Sequence, residues 1–347
     1  MPNETANVSP GHLAAADDRT ASDGSPRIVF MGTPEFAVAS LDAIVQAGYN
    51  VVGVVTAPDK PAGRGMQLTE SAVKKYAVTK GLFLLQPEKL RDPVFLDALR
   101  GLRADLQIVV AFRMLPELVW NMPPMGTVNL HGSLLPQYRG AAPINWAVIN
   151  GETVTGVTTF KLQQEIDTGG ILLQESFPVS DTDTAGDVHD RMKEIGAQLL
   201  VRTIQGLVAG TLHSVPQQNP PDLKHAPKIF TETCRIDWGR STAEIYNLIR
   251  GLSPFPAAFT ELDGKMLKIF RSEKELRSSG GVAGASSGGG NAASSGVAAG
   301  SYDTDGKTYL RFATADGWIR VTELQLEGKK KIAVGDFLRG YRFSANN

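Results

Sequence analysis

Apolar strand-like runs alternate with helix-like runs through the first two thirds of this chain, and short alternating strands crowd its end. That order predicts an α/β protein in two parts: an open domain built on a mostly parallel sheet, then a small β-barrel. Length agrees, since 347 residues suit two domains. A 42% hydrophobic and 20% charged composition describes a globular protein with a sizeable core.

The folded region opens at Arg27 with the β-rich run RIVFMG. The following TPEFAVASLDAIVQAG reads as a helix with Thr33 as N-cap, Pro34 in the first turn and Gly48 as the stop. NVVGVVTAP supplies a second strand, SAVKKYAVTKG a second helix and ADLQIVVAF a third strand. Helices then cover both faces of the sheet. The first turn, MGTPEF, holds one glycine and no G-x-G-x-x-G, so a Rossmann-like sheet without NAD is expected. A long helix runs through DTAGDVHDRMKEIGAQLLVRTIQGLVAG, starting near Asp183 or Thr184 and ending at Gly210. The domain is thus assigned to residues 27–211.

Residues 212–228 are rich in proline and polar side chains, lack apolar periodicity and read as an extended linker. Residues 229–347 form the second domain. There STAEIYNLIRG gives a short helix, and AAFTEL, KMLKIF, KTYLRFAT and GWIRVTELQL give short strands, with a tight turn at ADG. A barrel of the OB type fits best. The Gly/Ser/Ala segment 278–300 has almost nothing to bury and reads as a disordered insertion.

The first 26 residues have no basic start and no apolar middle, so they read as a disordered tail and not as a secretory signal. No run of about 20 apolar residues suggests a membrane span. Cys234 is the only cysteine, which excludes an internal disulfide and fits a reducing cytoplasm. The five histidines show no paired ligand spacing, and no metal is expected. Charge is uneven: residues 1–223 carry 17 basic and 23 acidic side chains and residues 224–347 carry 18 and 13, so −6 and +5 sum to the net −1. A basic second half is suited to a polyanion, though +5 is a modest excess.

The segment NLHGSLLPQYRGAAP carries the chemistry. Asn129 and His131 alternate with Val128 and Leu130, so an extended backbone places amide and imidazole on one side of a strand end. Ligands of open α/β sheets bind beyond that end. Asp167 follows in EIDTGG. An amide donor, an imidazole and a carboxylate are the groups that acyl-type transfer to an amine requires.

The string NLHGSLLPQYRGAAPINWA followed by GVTTFKLQQEIDTGGIL resembles the folate-dependent formyltransferase family. The resemblance implies a formyltransferase catalytic domain with Asn129, His131 and Asp167 as its catalytic residues. It also implies folate contacts from Ser133, Leu134, Leu135 and Pro136, Ser133 acting as a turn contact and not as a nucleophile. The implied donor is 10-formyltetrahydrofolate. Resemblance is greatest to members acting on methionyl-tRNA and extends from Arg27 to GKKKIAVGDFLRG. The acceptor it implies is the methionine α-amine of initiator tRNA, with Lys60 and Arg64 of the PAGRG loop reaching the acceptor stem and the OB-like domain contacting tRNA. A monomer is expected. An aminosugar-nucleotide N-formyltransferase and a non-catalytic RNA-binding homologue are the alternatives; the basic loop opposes the first and the intact Asn, His and Asp oppose the second. One departure from the family stands at VVAFRMLPELVW, where Arg113 replaces a small residue in a turn that borders the pterin pocket of relatives.

Overall fold

The computed structural model describes residues 25–62, 67–276 and 297–343. Nearly all of the expected tail and insertion, and Arg64 of the basic loop, lie outside the described residues.

In chain order the first part contains β1 (Arg27–Gly32), α1 (Glu35–Gln46), β2 (Asn50–Val55), β3 (Lys60–Ala62), β4 (Gln67–Thr69), α2 (Ala72–Thr79), β5 (Leu84–Leu85) and α3 (Pro93–Gly101). It continues through β6 (Leu106–Val110), α4 (Glu117–Trp120), β7 (Thr127–His131), β8 (Arg139–Gly140), α5 (Pro143–Ile149), β9 (Val154–Lys161), β10 (Ile171–Pro178) and α6 (Ala185–Val208). Seven strands form one sheet in the order β10-β9-β7-β6-β1-β2-β5. The run from β7 to β5 is parallel, and β9 and β10 extend it antiparallel. Strand β1 shows why both faces are covered. Ile28 and Phe30 pack with Leu41 of α1 and Leu199 of α6, whereas Val29 and Met31 pack with Leu99 of α3 and Val119 of α4. An apolar residue at every position suits a strand buried on both sides.

Helix α1 begins one residue later than the sequence suggests. Pro34, not Thr33, occupies the N-cap without a side-chain cap bond, and Gly48 follows the C-cap with φ +80°. Helix α6 has the full reciprocal cap: the Thr184 hydroxyl accepts from the Asp187 N–H, and the Asp187 carboxylate accepts from the Thr184 N–H.

The second part holds β11 (His225–Ala226), α7 (Thr231–Cys234), α8 (Thr242–Gly251), β12 (Ala258–Leu262), β13 (Lys265–Leu276), β14 (Tyr302–Thr304), β15 (Leu310–Ala313), β16 (Gly317–Leu326), β17 (Ile332–Ala333) and α9 (Val334–Gly340). Strands β12-β13-β16-β15-β14 and β17, which pairs with β16, build an antiparallel OB-like sheet over a core containing Trp238, Ile249, Phe312 and Phe337. Helix α8 joins the two parts. Buried Arg250 donates to the carbonyls of Ser180 and Asp183, and Asn145 of α5 donates to the Gly251 carbonyl at 2.8 Å.

The segment read as an extended linker is bonded to the first domain along its length. Val215 bridges Ile171, and β11 pairs parallel with β8. Most of its hydrogen bonds use backbone groups and carboxamides, and its apolar contacts, from Leu212 and Ala226, are isolated, which leaves no apolar period to detect.

Candidate active site

Strand β7 lies between β6 and β9, with Val128 and Leu130 buried in the core. Asn129 and His131 therefore share the other side of the pleat at the strand's carboxyl end. His131 is 6% exposed. Its Nε2 lies 2.9 Å from the Tyr138 carbonyl oxygen, which can only accept, so Nε2 carries the proton. Nδ1 then faces Asp167, whose Oδ2 is 3.8 Å away. That is too long for a direct hydrogen bond, and close enough for one small polar group to touch both.

Asp167 stands in the loop after β9 at φ +54°. Its Oδ2 accepts from the Gly140 N–H at 3.0 Å, and its backbone carbonyl accepts from the Gln217 carboxamide at 2.8 Å. Two residues on, a side chain at Gly169 would place its Cβ 1.7 Å from the Lys161 carbonyl oxygen, so only glycine lets the loop close here. The Asn129 carboxamide makes no hydrogen bond among the described residues. The three predicted catalytic side chains thus gather at one strand end.

The loop at 133–136 is stapled from beneath. Ser133 Oγ donates to the Gln137 carbonyl, and Thr158 Oγ1 donates to the Ser133 carbonyl while accepting from the Leu135 N–H. Gln174 donates to the Leu135 carbonyl. Ser133 and Leu135 are buried, so Leu134 and Pro136 carry the loop's accessible surface. Thr158 and Gln174 were missed by sequence reasoning, because β9 (VTGVTTFK) and β10 (ILLQESFP) carry several other polar residues that hide them.

Gln217 receives both Arg139 Nε and one terminal nitrogen, at 3.1 and 2.7 Å. Together they line a polar cleft of about 430 Å³ beside the Asp167 loop. Lys60 is exposed on β3. At the foot of the β3–β4 hairpin Lys74 bonds Asp59 at 2.5 Å and Glu70 at 2.9 Å, and the Lys74 hydrogen bond holds the Asp59 carboxyl below its ordinary range. Arg113 donates to the carbonyls of Pro87 and Glu88, tying the exits of β5 and β6 together. No cluster of three or more potential metal ligands occurs among the described residues.

The family model described as formyl transferase matches residues 26–204, and its C-terminal domain model matches residues 228–342. The chain belongs to the formyl transferase family. This formyl transferase is 55% identical to the methionyl-tRNA formyltransferase of Parabacteroides distasonis over 326 residues, covering 91% of the chain and 96% of the relative. It is 52% identical to the protein of that name from Bacteroides fragilis, covering 92% and 96%. Among solved structures, a Helicobacter canadensis N-formyltransferase in complex with folinic acid and dTDP-3-aminofucose aligns with TM-score 0.61 at 19% identity, covering 88% of this chain and all of that one. HypX from Aquifex aeolicus, in complex with tetrahydrofolic acid, aligns with TM-score 0.60 at 18% identity over 92% of this formyl transferase and 48% of HypX. These structures share its fold.

Proposed function

We propose that this chain transfers the formyl group of 10-formyltetrahydrofolate to the α-amino group of methionyl initiator tRNA, in translation initiation. The observation that carries the reading is the convergence of Asn129, His131 and Asp167 at the carboxyl end of β7. The names of relatives 52–55% identical along almost their whole length support the same acceptor. Residues 27–211 form the catalytic domain, and residues 229–347 contact tRNA. The enzyme acts as a cytoplasmic monomer.

The folate supplies a formyl carbonyl attached to N10, and every other step falls to the chain. Leu134 and Pro136 border the folate, with Ser133 and Leu135 shaping the loop beneath. Asn129 donates to the formyl oxygen as it gains negative charge, which is worth roughly 3 to 4 kcal/mol for one well-placed donor. His131 presents Nδ1, so the neutral ring accepts the proton that the attacking amine releases. The resulting cation lies beside the Asp167 carboxylate, 3.8 Å away, and that pairing stabilises it. The proton then passes from Nδ1 to the departing nitrogen as the formyl bond to N10 breaks. No covalent enzyme intermediate is needed, because an amine is already a competent nucleophile. Lys60 and Arg64 meet the acceptor stem.

The test is formyl transfer from 10-formyltetrahydrofolate to charged initiator tRNA, measured beside a dTDP-aminosugar, a UDP-aminosugar and glycinamide ribonucleotide. Methionyl-tRNA should be the acceptor preferred by orders of magnitude in kcat/KM. A nucleotide sugar used equally well would overturn the assignment. Lys60→Ala and Arg64→Ala should weaken tRNA binding and lower the slope of its salt dependence by about one unit for each phosphate that is no longer neutralised, with folate binding unchanged.

A further inference from the structure

The hydrogen bond that selects the His131 tautomer comes from Tyr138, which is itself held in an unfavourable conformation. Its φ is +61°, a strained region that a non-glycine residue keeps only where its surroundings impose it. Three contacts impose it here. The Tyr138 N–H donates to the Lys224 carbonyl at 2.7 Å. Its hydroxyl donates to Glu152 Oε1 at 2.5 Å and accepts from the Asn150 carboxamide at 3.1 Å. Lys224 Nζ reaches the same Glu152 oxygen at 2.5 Å, and the Lys224 N–H donates to the Gln137 carboxamide at 2.7 Å. The Tyr138 ring is buried against Ala147, Ala226 and Trp146.

We propose that Tyr138, Glu152 and Lys224 form a positioning clamp for catalysis, which holds the Tyr138 carbonyl against His131 Nε2 and so keeps Nδ1 free to take the substrate proton. The alternative tautomer has an obvious attraction. With the carbonyl displaced, Asp167 is the nearest charged acceptor, and it would draw the proton onto Nδ1. The ring would then present a hydrogen where the attacking amine needs a lone pair. Burial alone would raise the Glu152 carboxyl, but the bonds from Lys224 and Tyr138 outweigh it and hold Glu152 ionised below its usual range. Lys224 belongs to the segment between the domains, so the site is completed from outside the α/β unit.

This inference rests on the proposed formyl transfer only for its kinetic half. The decisive measurement is the ¹⁵N imidazole spectrum of His131 in the full, ligand-free chain, identified by its loss in His131→Gln. The wild-type ring should show a pyrrole-like Nε2 and a pyridine-like Nδ1. In Tyr138→Phe the two resonances should move towards each other or exchange, and kcat should fall by about tenfold with both KM values within about twofold, since the ground-state contacts to substrate are untouched. Glu152→Gln and Lys224→Met should give the same shift to a smaller degree, and they carry the test if Tyr138→Phe proves unstable in thermal unfolding. An unchanged spectrum in all three folded variants overturns the clamp, as does a shifted spectrum with wild-type kcat. A wild-type chain that formylates no amine would sink the functional reading, while the spectrum would still decide whether the clamp sets the tautomer.

Discussion

Replacing Gly140 by alanine tests how tightly the Asp167 loop must be held. Gly140 has φ +126°, where side chains are rarely accommodated, and a Cβ there would stand 2.4 Å from the Ala226 carbonyl oxygen. Ordinary contact begins near 3.4 Å, so the β8 and β11 strands must separate by about 1 Å. Backbone strain adds of order 1–3 kcal/mol. The Gly140 N–H is also the donor to Asp167 Oδ2 at 3.0 Å, so the same movement shifts the carboxylate relative to His131. A displacement of that size in a catalytic constellation costs up to about a hundredfold in rate. Gly140→Ala should therefore lose between tenfold and a hundredfold in kcat and melt several degrees lower. Gly48→Ala is the control: its φ is +80°, but nothing lies within 4 Å of the added methyl, so it should lose stability and keep full activity. Steady-state formylation and thermal unfolding of both proteins decide the matter. Wild-type kcat in Gly140→Ala, or an equal loss of activity in Gly48→Ala, would mean that turnover does not depend on how the Asp167 loop is held.

Three further outcomes are expected. Asn129→Ala should leave thermal stability within about 0.5 kcal/mol, because its carboxamide has no partner to orphan among the described residues, yet lower kcat by about a hundredfold or more at saturating folate; a rate within about threefold of wild type excludes the donor role. Lys74→Met should loosen the β3–β4 hairpin foot held by Asp59 and Glu70, raising KM for tRNA severalfold at unchanged folate KM; parallel changes in both constants would disprove a local effect. Asp316→Asn should lower the melting temperature at neutral pH, because the Thr242 N–H and hydroxyl hold that carboxyl below its ordinary range. A depressed carboxyl stabilises the fold above its unfolded pKa, near 4, and the contribution fades as pH falls through the folded value. Melting curves of variant and parent should converge below about pH 4, and a gap that widens in acid contradicts the assignment.

Much of the fold was readable because local and global signals coincide. The β1 run is apolar at every position, as a doubly covered strand must be, and Thr184 with Asp187 spells the α6 cap in the sequence itself. Asn129 and His131 were legible because strand alternation alone puts them together. What stayed hidden depends on contacts between distant, polar or irregular segments. The proline-rich connection offers no period, so the docking of Val215, Gln217 and Ala226 shows only in three dimensions. Likewise, strand alternation does not show which ring nitrogen of His131 faces the reaction. The bond to the Tyr138 carbonyl leaves Nδ1 for that side, because the backbone folds back seven residues later at a positive φ that no residue preference at tyrosine forecasts.

The docked connection changes what counts as a separable module. The two matched family regions leave residues 205–227 between them, yet that interval contributes Gln217 to the Asp167 loop and Ala226 to the strand pair beside Gly140. A fragment ending at 211 would retain all three proposed catalytic side chains and lose contacts that hold the Asp167 loop and Tyr138 beside His131. Exchanging C-terminal domains between relatives is therefore best done with a joint beyond Pro227, so that each α/β unit keeps the strap docked on it. Substitutions in this interval should alter turnover more than RNA affinity, an effect not expected of a spacer of the same length.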